Sequence, residues 1–560
     1  MPGGRQQNGH KYAIGRMFLL SESKSSSYLH GAAILTAGVV IVKVIGAIYK
    51  IPLYNLLGTE GTSYFNVAYN IYALLLTIST AGLPVAMSKL VSAARALERP
   101  GQVKKVFSVG RMAFLVMGMI GTLLMLLFPS QIAELIGGEG NDGAWYSIRV
   151  LSLALICICL TSAYRGFFQG HSNMIPTTVT QIVEALSKLI FGLSLAWWFI
   201  RSGFSTEIVS AGAIAGVTLG TFFALVFMLV YKRKQDSMGD SLPGSGAPPD
   251  SGRSIVGQIL RIGIPITLSS SFLSIVNLLD TALILNRLQS ALGYTKEIAN
   301  SLQGSYGMIL TLYNLPSSII IPITVSFMPS ITSYLARKEY KDASKVTESG
   351  LRVTNLIAMP AGVGLSSLAL GIVTVLYPSA DAEAVGLLTI MGIASILVCI
   401  MLMTNSVLQA YGYERFTVYT VVIGGIIKVV TNWVLLGIPS IGIYGVAIAA
   451  VICYTIIVIL NLTIIKTKLP GKLSIIRPYG KPALCSVIMG VAAYSTYSLV
   501  HRWLSGVVTG GMAQLGALAV AMLIALIAYV VLVIATRTLT YDDILMLPKG
   551  DKLAKRFKRW

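Results

Sequence analysis

Apolar residues run through this chain in long blocks separated by short polar segments. Fourteen blocks stand out, at roughly 29–54, 65–88, 107–128, 144–165, 175–200, 209–231, 256–286, 304–335, 350–377, 385–410, 416–436, 441–465, 482–501 and 513–536. Most match or exceed the roughly 20 residues a helix needs to cross the hydrocarbon core of a bilayer. The strict alternation of barrel strands is absent, so helices are the predicted spanning elements. The seventh and eighth blocks contain Pro265, Pro316, Pro322 and Pro329, which predicts broken helices there.

Between the sixth and seventh blocks lies "DSMGDSLPGSGAPPDSG" (236–252), whose Gly, Pro, Ser and Asp content reads as a flexible cytoplasmic linker. It invites a search for a repeat. "RGFFQGHSNMIPTTVTQIVEALSKLIF" (165–191) aligns without gaps to "NSVLQAYGYERFTVYTVVIGGIIKVVT" (405–431), pairing Gln169 with Gln409, Thr177 with Thr417, Thr180 with Thr420 and Lys188 with Lys428. "LPVAMSKLVSAAR" (83–95) aligns to "IPITVSFMPSITS" (321–333), pairing Pro84 with Pro322. Both matches lie six spans apart, so the repeats run parallel in the membrane, as in two-lobed transporters. The predicted fold is an all-α polytopic membrane protein with two pseudo-symmetric six-helix lobes and two C-terminal helices. The expected organisation is a cytoplasmic tail (1–28), an N-lobe (29–231), a linker (232–255), a C-lobe (256–465), spans 13–14 (466–536) and a basic cytoplasmic tail (537–560).

Composition agrees: 55% of the 560 residues are hydrophobic, 12% are charged, and mean hydropathy is +0.75. A soluble protein carries about 25% charged residues. The five cysteines all fall inside apolar blocks and read as packing residues rather than disulfides. Residues 1–28 are polar and "MFLL" is too short for a signal-peptide core, so the first span is expected to act as its own insertion signal.

Charge sets an expected orientation. With the N-terminal tail and every second connection on one side, 32 of the 43 Lys and Arg fall on that side, Arg165 among them. Four fall opposite: Arg201, Arg287, Lys296 and Arg502. The positive-inside rule then places both termini of this multi-pass membrane protein in the cytoplasm. The net charge of +21 finds its partner in anionic inner-leaflet lipids, and nucleic acid need not be invoked.

Seven cations remain inside the blocks: Lys43, Lys50, Arg111, Arg149, Lys188, Arg261 and Lys428. Among acids, only Glu184 and Asp280 lie well inside. Such charges are costly and usually face a bundle interior or aqueous cavity. Lys43, Lys188 and Lys428 sit 12 to 14 residues from a cytoplasmic end. At 1.5 Å per residue that is roughly 20 Å deep, near the midplane. Arg111 and Arg149 lie close to interfaces and read as snorkelling side chains. Glu184 and Lys188 are spaced i, i+4, which suits either a neutralising internal pair or a cavity role. Lys428 has Gly424 where Lys188 has Glu184, so within its own span it lacks a carboxylate. The expected cavity set is Lys43, Lys50, Lys188, Lys428, Glu184, Arg261 and Asp280. It is net positive and suits an anion such as a phosphate-bearing lipid headgroup.

Other chemistry is thin. His10, His30, His171 and His501 are scattered without metal-ligand spacing, and no phosphate-binding loop signals ATP. The expectation is a monomeric transporter, not an enzyme, with no metal or cofactor, driven by a coupling ion or the membrane potential.

Three stretches carry a resemblance: "KVIGAIYKIPLYNLLG" (43–58), "AYNIYALLLTISTAGLPVAMSKLVS" (68–92) and "YRGFFQGHSNMIPTTVTQIVEALSK" (164–188). On them the chain resembles the multidrug/oligosaccharidyl-lipid/polysaccharide flippase superfamily. Within it, the chain is similar to the stage V sporulation protein B group of polysaccharide exporters, relatives of the lipid II flippases of peptidoglycan synthesis. The resemblance implies two six-helix lobes working by alternating access. It implies a lipid-linked oligosaccharide substrate, an undecaprenyl-pyrophosphate-linked sugar moved from inner to outer leaflet. In those flippases cavity arginines come from spans 1, 2 and 8. This chain instead offers Lys43 and Lys50 in span 1, Lys89 at the end of span 2, and nothing basic in span 8 before Arg337. Lysine acts as a point charge rather than a bidentate grip. The alternatives are an exporter of another lipid-linked polysaccharide unit, a cation-coupled multidrug antiporter of the same superfamily, or a membrane-embedded transferase. Acids should dominate an antiporter cavity, and a transferase should carry a catalytic acid or His in a sizeable loop. Neither matches the sequence.

Overall fold

The computed structural model describes residues 38, 41–42, 45–46, 48–79, 82–138, 143–171, 173–237, 248–469, 477–506 and 511–538. Among them every regular element is a helix. In chain order these are α1 (48–79), α2 (Leu83–Ala96), α3 (Pro100–Leu127), α4 (Pro129–Gly137), α5 (Trp145–Gly170), α6 (Ile175–Ser187), α7 (Leu193–Arg201), α8 (Thr206–Ser237) and α9 (Gly252–Leu292). Beyond them come α10 (Lys296–Ala336), α11 (Tyr340–Ser367), α12 (Ala369–Leu376), α13 (Glu383–Ala410), α14 (Glu414–Leu435), α15 (Tyr444–Lys468), α16 (Arg477–Ser505) and α17 (Gly511–Ala535). A π-helical turn, Lys188–Gly192, joins α6 to α7.

The expected apolar blocks from 65 onward fall on these helices, with 65–88 shared by α1 and α2, 175–200 by α6, the π turn and α7, and 350–377 by α11 and α12. Among the described residues ten helices are long and apolar enough to cross a membrane, or eleven when the bent pair α11–α12 counts as one span. This count does not reach fourteen. The first two blocks join in one helical stretch, and α9 and α10, which carry many hydroxyl and amide residues in mid-helix, fall outside it. The joined stretch nevertheless doubles back. In a straight helix, residues 54 and 66 would be about 18 Å apart. Tyr54 Oη instead donates to Asn66 Oδ1 at 3.0 Å. The reversal falls at Gly58, whose φ of +67° is left-handed backbone that glycine adopts without a Cβ clash.

The proline-rich blocks are not broken. Helices α9 and α10 each continue through 41 residues, across Pro265, Pro316, Pro322 and Pro329. Each proline removes one backbone bond, which a long helix absorbs when neighbouring groups re-satisfy the freed carbonyl. Punctuation lies between them. Gly293 ends α9 at φ +67°, and Thr295 Oγ1 caps α10 by accepting from the Ile298 N–H at 3.4 Å. The sharp bend, 74°, falls between α11 and α12.

The repeat is visible in three dimensions. A 28-residue helix followed by a short one occurs twice, as α3–α4 and α11–α12. Glu98 and Lys338, 240 positions apart, both adopt positive φ as non-glycines. Both turns close identically: Arg99 N–H donates to Ala94 O and Glu339 N–H to Tyr334 O, each at 3.0 Å. Thr180 Oγ1 donates to Thr177 O at 2.9 Å, and Thr420 Oγ1 to Thr417 O at 3.2 Å. Helix α5 packs on α8 as α13 packs on α15. The pair α16–α17 lies against α11, where Tyr529 Oη donates to Leu356 O at 2.8 Å.

Three arginines stack on tryptophans: Arg149 on Trp145, Arg201 on Trp197 and Arg287 on Trp433. All lie near helix ends on the side that charge counting makes external. Amphipathic aromatic–cation pairs favour a membrane–water interface.

Candidate substrate cavity

A cavity of about 660 Å³ lies between the two halves of the repeat. Its charged lining is Lys50, Arg165, Glu184, Lys188, Asp280 and Lys428, four cations against two anions. The structure thus brings together five of the seven expected residues. Lys43 lies outside the described residues. Arg261 is exposed on α9 and does not line the cavity. An arginine near a helix end can extend outward, and distance along the sequence carries no information about helix face.

The charges divide by half. In the C-terminal half, Lys428 and Asp280 are buried, at 5% and 3% exposure, and form an ion pair. Asn432, one turn beyond Lys428, donates its Nδ2 to Asp280 Oδ1 at 2.7 Å. Lys428, which lacks a carboxylate within its own span, is therefore not an unpaired cation. Its carboxylate comes from α9, 148 residues earlier in the chain, which spacing within one span cannot reveal.

The N-terminal half differs. Glu184 does not pair with Lys188. It accepts from Arg165 Nη2 at 2.8 Å, and Arg165 Nε donates to Thr180 Oγ1 at 3.1 Å. Arg165 is thus no cytoplasmic loop residue. Helix α5 continues to Gly170, and the guanidinium is buried at 5% exposure. A planar fork with fixed donors satisfies carboxylate and hydroxyl together, which an ammonium on the same helix face as Glu184 cannot do.

Lys188 and Lys50 are left with aromatic company. Lys188 Nζ donates to Tyr72 Oη at 3.1 Å and stands 4.7 Å from that ring's centroid. It also lies 5.8 Å from the Tyr69 centroid. Lys50 Nζ lies 5.0 Å from the same Tyr69 and 5.8 Å from Tyr54. Neither lysine has a carboxylate within ion-pair distance among the described residues. Sequence reasoning missed Tyr54, Tyr69 and Tyr72. Their only signal was spacing, since 69 and 72 are i, i+3 on one face of a helix that also faces span 1. Among the described residues no group of three or more His, Cys, Asp and Glu could hold a metal ion.

The cavity ends where the α1 turn meets the start of α10. Ser63 Oγ donates to Asn300 Oδ1 at 3.0 Å. Ser301 Oγ lies 2.7 Å from Thr59 Oγ1 and 2.9 Å from both carboxylate oxygens of Asp381. A carboxylate only accepts, so Ser301 donates to Asp381. Ser305 Oγ donates to Asp381 Oδ2 at 3.0 Å and accepts its backbone N–H at 2.9 Å. Gly304 allows the contact, because a Cβ there would overlap the Thr59 carbonyl. Thr62 Oγ1, Asn66 Nδ2 and Gln303 Oε1 are shut in this seam without hydrogen-bond partners.

Residues 28–335, more than half of the chain, match the family described as polysaccharide biosynthesis protein. The chain belongs to that family. The lipid II flippase MurJ of Bacillus subtilis is 29% identical over 425 residues, 73% of this chain and 77% of the flippase. Stage V sporulation protein B of the same organism is 23% identical over 534 residues, 95% of this chain and 99% of its own length. In structure, a lipid II flippase MurJ in an inward closed conformation superposes with a TM-score of 0.65 at 17% identity, covering 90% of this chain and 99% of that one. The last likeness fixes the fold: a helical polytopic membrane protein.

Proposed function

We propose that this protein moves an undecaprenyl-pyrophosphate-linked saccharide, the peptidoglycan precursor lipid II, from the inner to the outer leaflet of the cell membrane. One observation carries the reading: the cavity holds two lysines, Lys50 and Lys188, committed to tyrosines rather than carboxylates. A cation facing an aromatic ring gains about 0.5–2 kcal/mol. A charge-assisted phosphate contact is stronger, and an ammonium with a ring on one side still has N–H groups to offer an anionic headgroup on the other. Lys428, neutralised by Asp280, would serve as structure rather than as a phosphate ligand. A cavity with four cations against two acids disfavours cationic drugs as cargo.

The two halves of the repeat would rock about the cavity, and the seam at the α1 turn would be the closed external gate. Both termini would be cytoplasmic, with a coupling ion or the membrane potential supplying direction.

The test is lipid II flipping in cells depleted of their own flippase, scored by external access to the newly exposed headgroup. Wild type is expected to restore it, and Lys50→Ala and Lys188→Ala to lose it. No rescue by wild type present in the membrane would exclude lipid II and leave another lipid-linked glycan.

A further inference from the structure

The two lysines of the N-terminal half share one ring. Lys50 reaches Tyr69 from α1 before the turn, and Lys188 reaches it from the far end of α6. Like charges in a cavity of reduced dielectric repel and favour withdrawal into water or capture by an acid. Neither has happened. The one nearby carboxylate, Glu184, is held by Arg165. Phe65 and Tyr72 flank Tyr69, with ring centroids 5.4 and 5.5 Å away, which fixes the platform. The Tyr72 hydroxyl, on a side chain exposed by only 1%, takes one proton of Lys188 in a hydrogen bond.

A second, independent feature lies at the same place. Lys188 is the first residue of the π-helical turn Lys188–Gly192, whereas Lys428, its repeat counterpart, stands in unbroken α-helix. A π turn inserts one extra residue and rotates the helix beyond it, and such turns concentrate at functional sites. It is accommodated by Gly192 and Gly216, where a Cβ on Gly216 would overlap the Gly192 backbone.

We propose that Tyr69 and Tyr72 are positioning residues. With the π turn at Lys188, they hold Lys50 and Lys188 charged, separated and uncommitted before cargo arrives, poised for one diphosphate group. The diphosphate then bonds the free N–H groups of both ammoniums while the rings keep hold of their other sides, and no carboxylate has to be displaced. This rests on the proposed function, since it assumes an anionic cargo. It goes further in naming the residues that set the affinity and in assigning them a part that contacts alone do not give.

The test measures equilibrium binding of inorganic pyrophosphate and inorganic phosphate to the purified full chain in detergent. Tyr69→Leu, Tyr69→Phe, Tyr72→Leu and Tyr72→Phe are compared, with Lys188→Ala as reference and thermal unfolding as the check on folding. Removing a ring is expected to weaken pyrophosphate binding about three- to tenfold, the fold-change that one cation–π contact represents. Tyr69→Phe keeps all that its ring supplies and is expected within about twofold of wild type, whereas Tyr72→Phe also loses the hydroxyl that accepts from Lys188 and is expected between wild type and Tyr72→Leu. Rescue by Phe separates a ring effect from general damage, and holds even where a leucine variant is destabilised. Leucine variants that bind like wild type, with Lys188→Ala weakened, would overturn the positioning role and leave the anion-binding reading standing. If wild type and Lys188→Ala bind pyrophosphate equally, the anion-binding reading itself is wrong and this inference falls with it.

Discussion

Lys188 and Lys428 occupy one position of the repeat and lead different lives. Lys428 is buried, bonded to Asp280 and backed by Asn432. Lys188 is half-buried, rests on Tyr72 and Tyr69, and sees its nearest carboxylate taken by Arg165. Duplication supplied two cations, and partners arriving from other helices decided which stayed available. A cation's role in a membrane cavity is therefore set less by its own position than by what competes for it.

The C-terminal pair is where the comparison breaks most visibly. Asp280→Leu strands Lys428 as an uncompensated buried charge, which costs about 3–5 kcal/mol. The expected result is a drop of several degrees in the unfolding temperature in detergent. Adding Lys428→Met should recover most of it, because an apolar pair of similar volume is often neutral. A double variant as unstable as the single would mean that the pair does more than neutralise itself.

The next prediction makes the N-terminal half imitate the C-terminal one. Tyr72→Glu places a carboxylate beside Lys188. Folding should survive, since the new pair is mutually satisfied, while headgroup transport should fall by about tenfold or more, equivalent to at least ~1.4 kcal/mol of competition. Arg165→Met should act in the same direction by freeing Glu184 for Lys188, with an added loss of stability from the broken pair. Transport unchanged in both variants would show that Lys188 need not be uncommitted.

These partnerships also mark how far the sequence could be read. Helices, their order and the repeat were legible, because apolar block length and Lys/Arg asymmetry are local quantities. The membership of Glu184, Lys188, Asp280 and Lys428 in one cavity came from the cost of intramembrane charge. Who pairs with whom did not. Asp280 and Lys428 are joined across 148 residues, and Arg165 looked cytoplasmic because the apolar block before it ends there while the helix continues to Gly170. The prolines of α9 and α10 misled in the opposite sense, since a local breaker signal is overridden when the surrounding helix re-satisfies its carbonyl.

The smallest effect is expected at the seam, where the two halves meet directly. Ser301 lies between Thr59 and Asp381, and Ser301 and Ser305 both donate to Asp381, so the bonds converge on one carboxylate. The same seam shuts in Thr62 Oγ1, Asn66 Nδ2 and Gln303 Oε1 without partners, each of which water would satisfy on opening. The seam thus combines bonds that favour closure with orphans that disfavour it, which suits the proposed gate. Asp381→Asn weakens acceptors that are charged in the wild type and gives the amide a donor edge facing two hydroxyls. The loss should be about 1 kcal/mol, shifting the closed-to-open ratio about fivefold. It would be read as faster labelling of a cysteine placed at Gln303 by a membrane-impermeant reagent added outside. The variant should fold normally, because Asp381 is only half-buried and Asn keeps its shape. Unchanged labelling would mean that Gly304 and the close backbone contact at Thr59 hold this end of the cavity without help from the carboxylate.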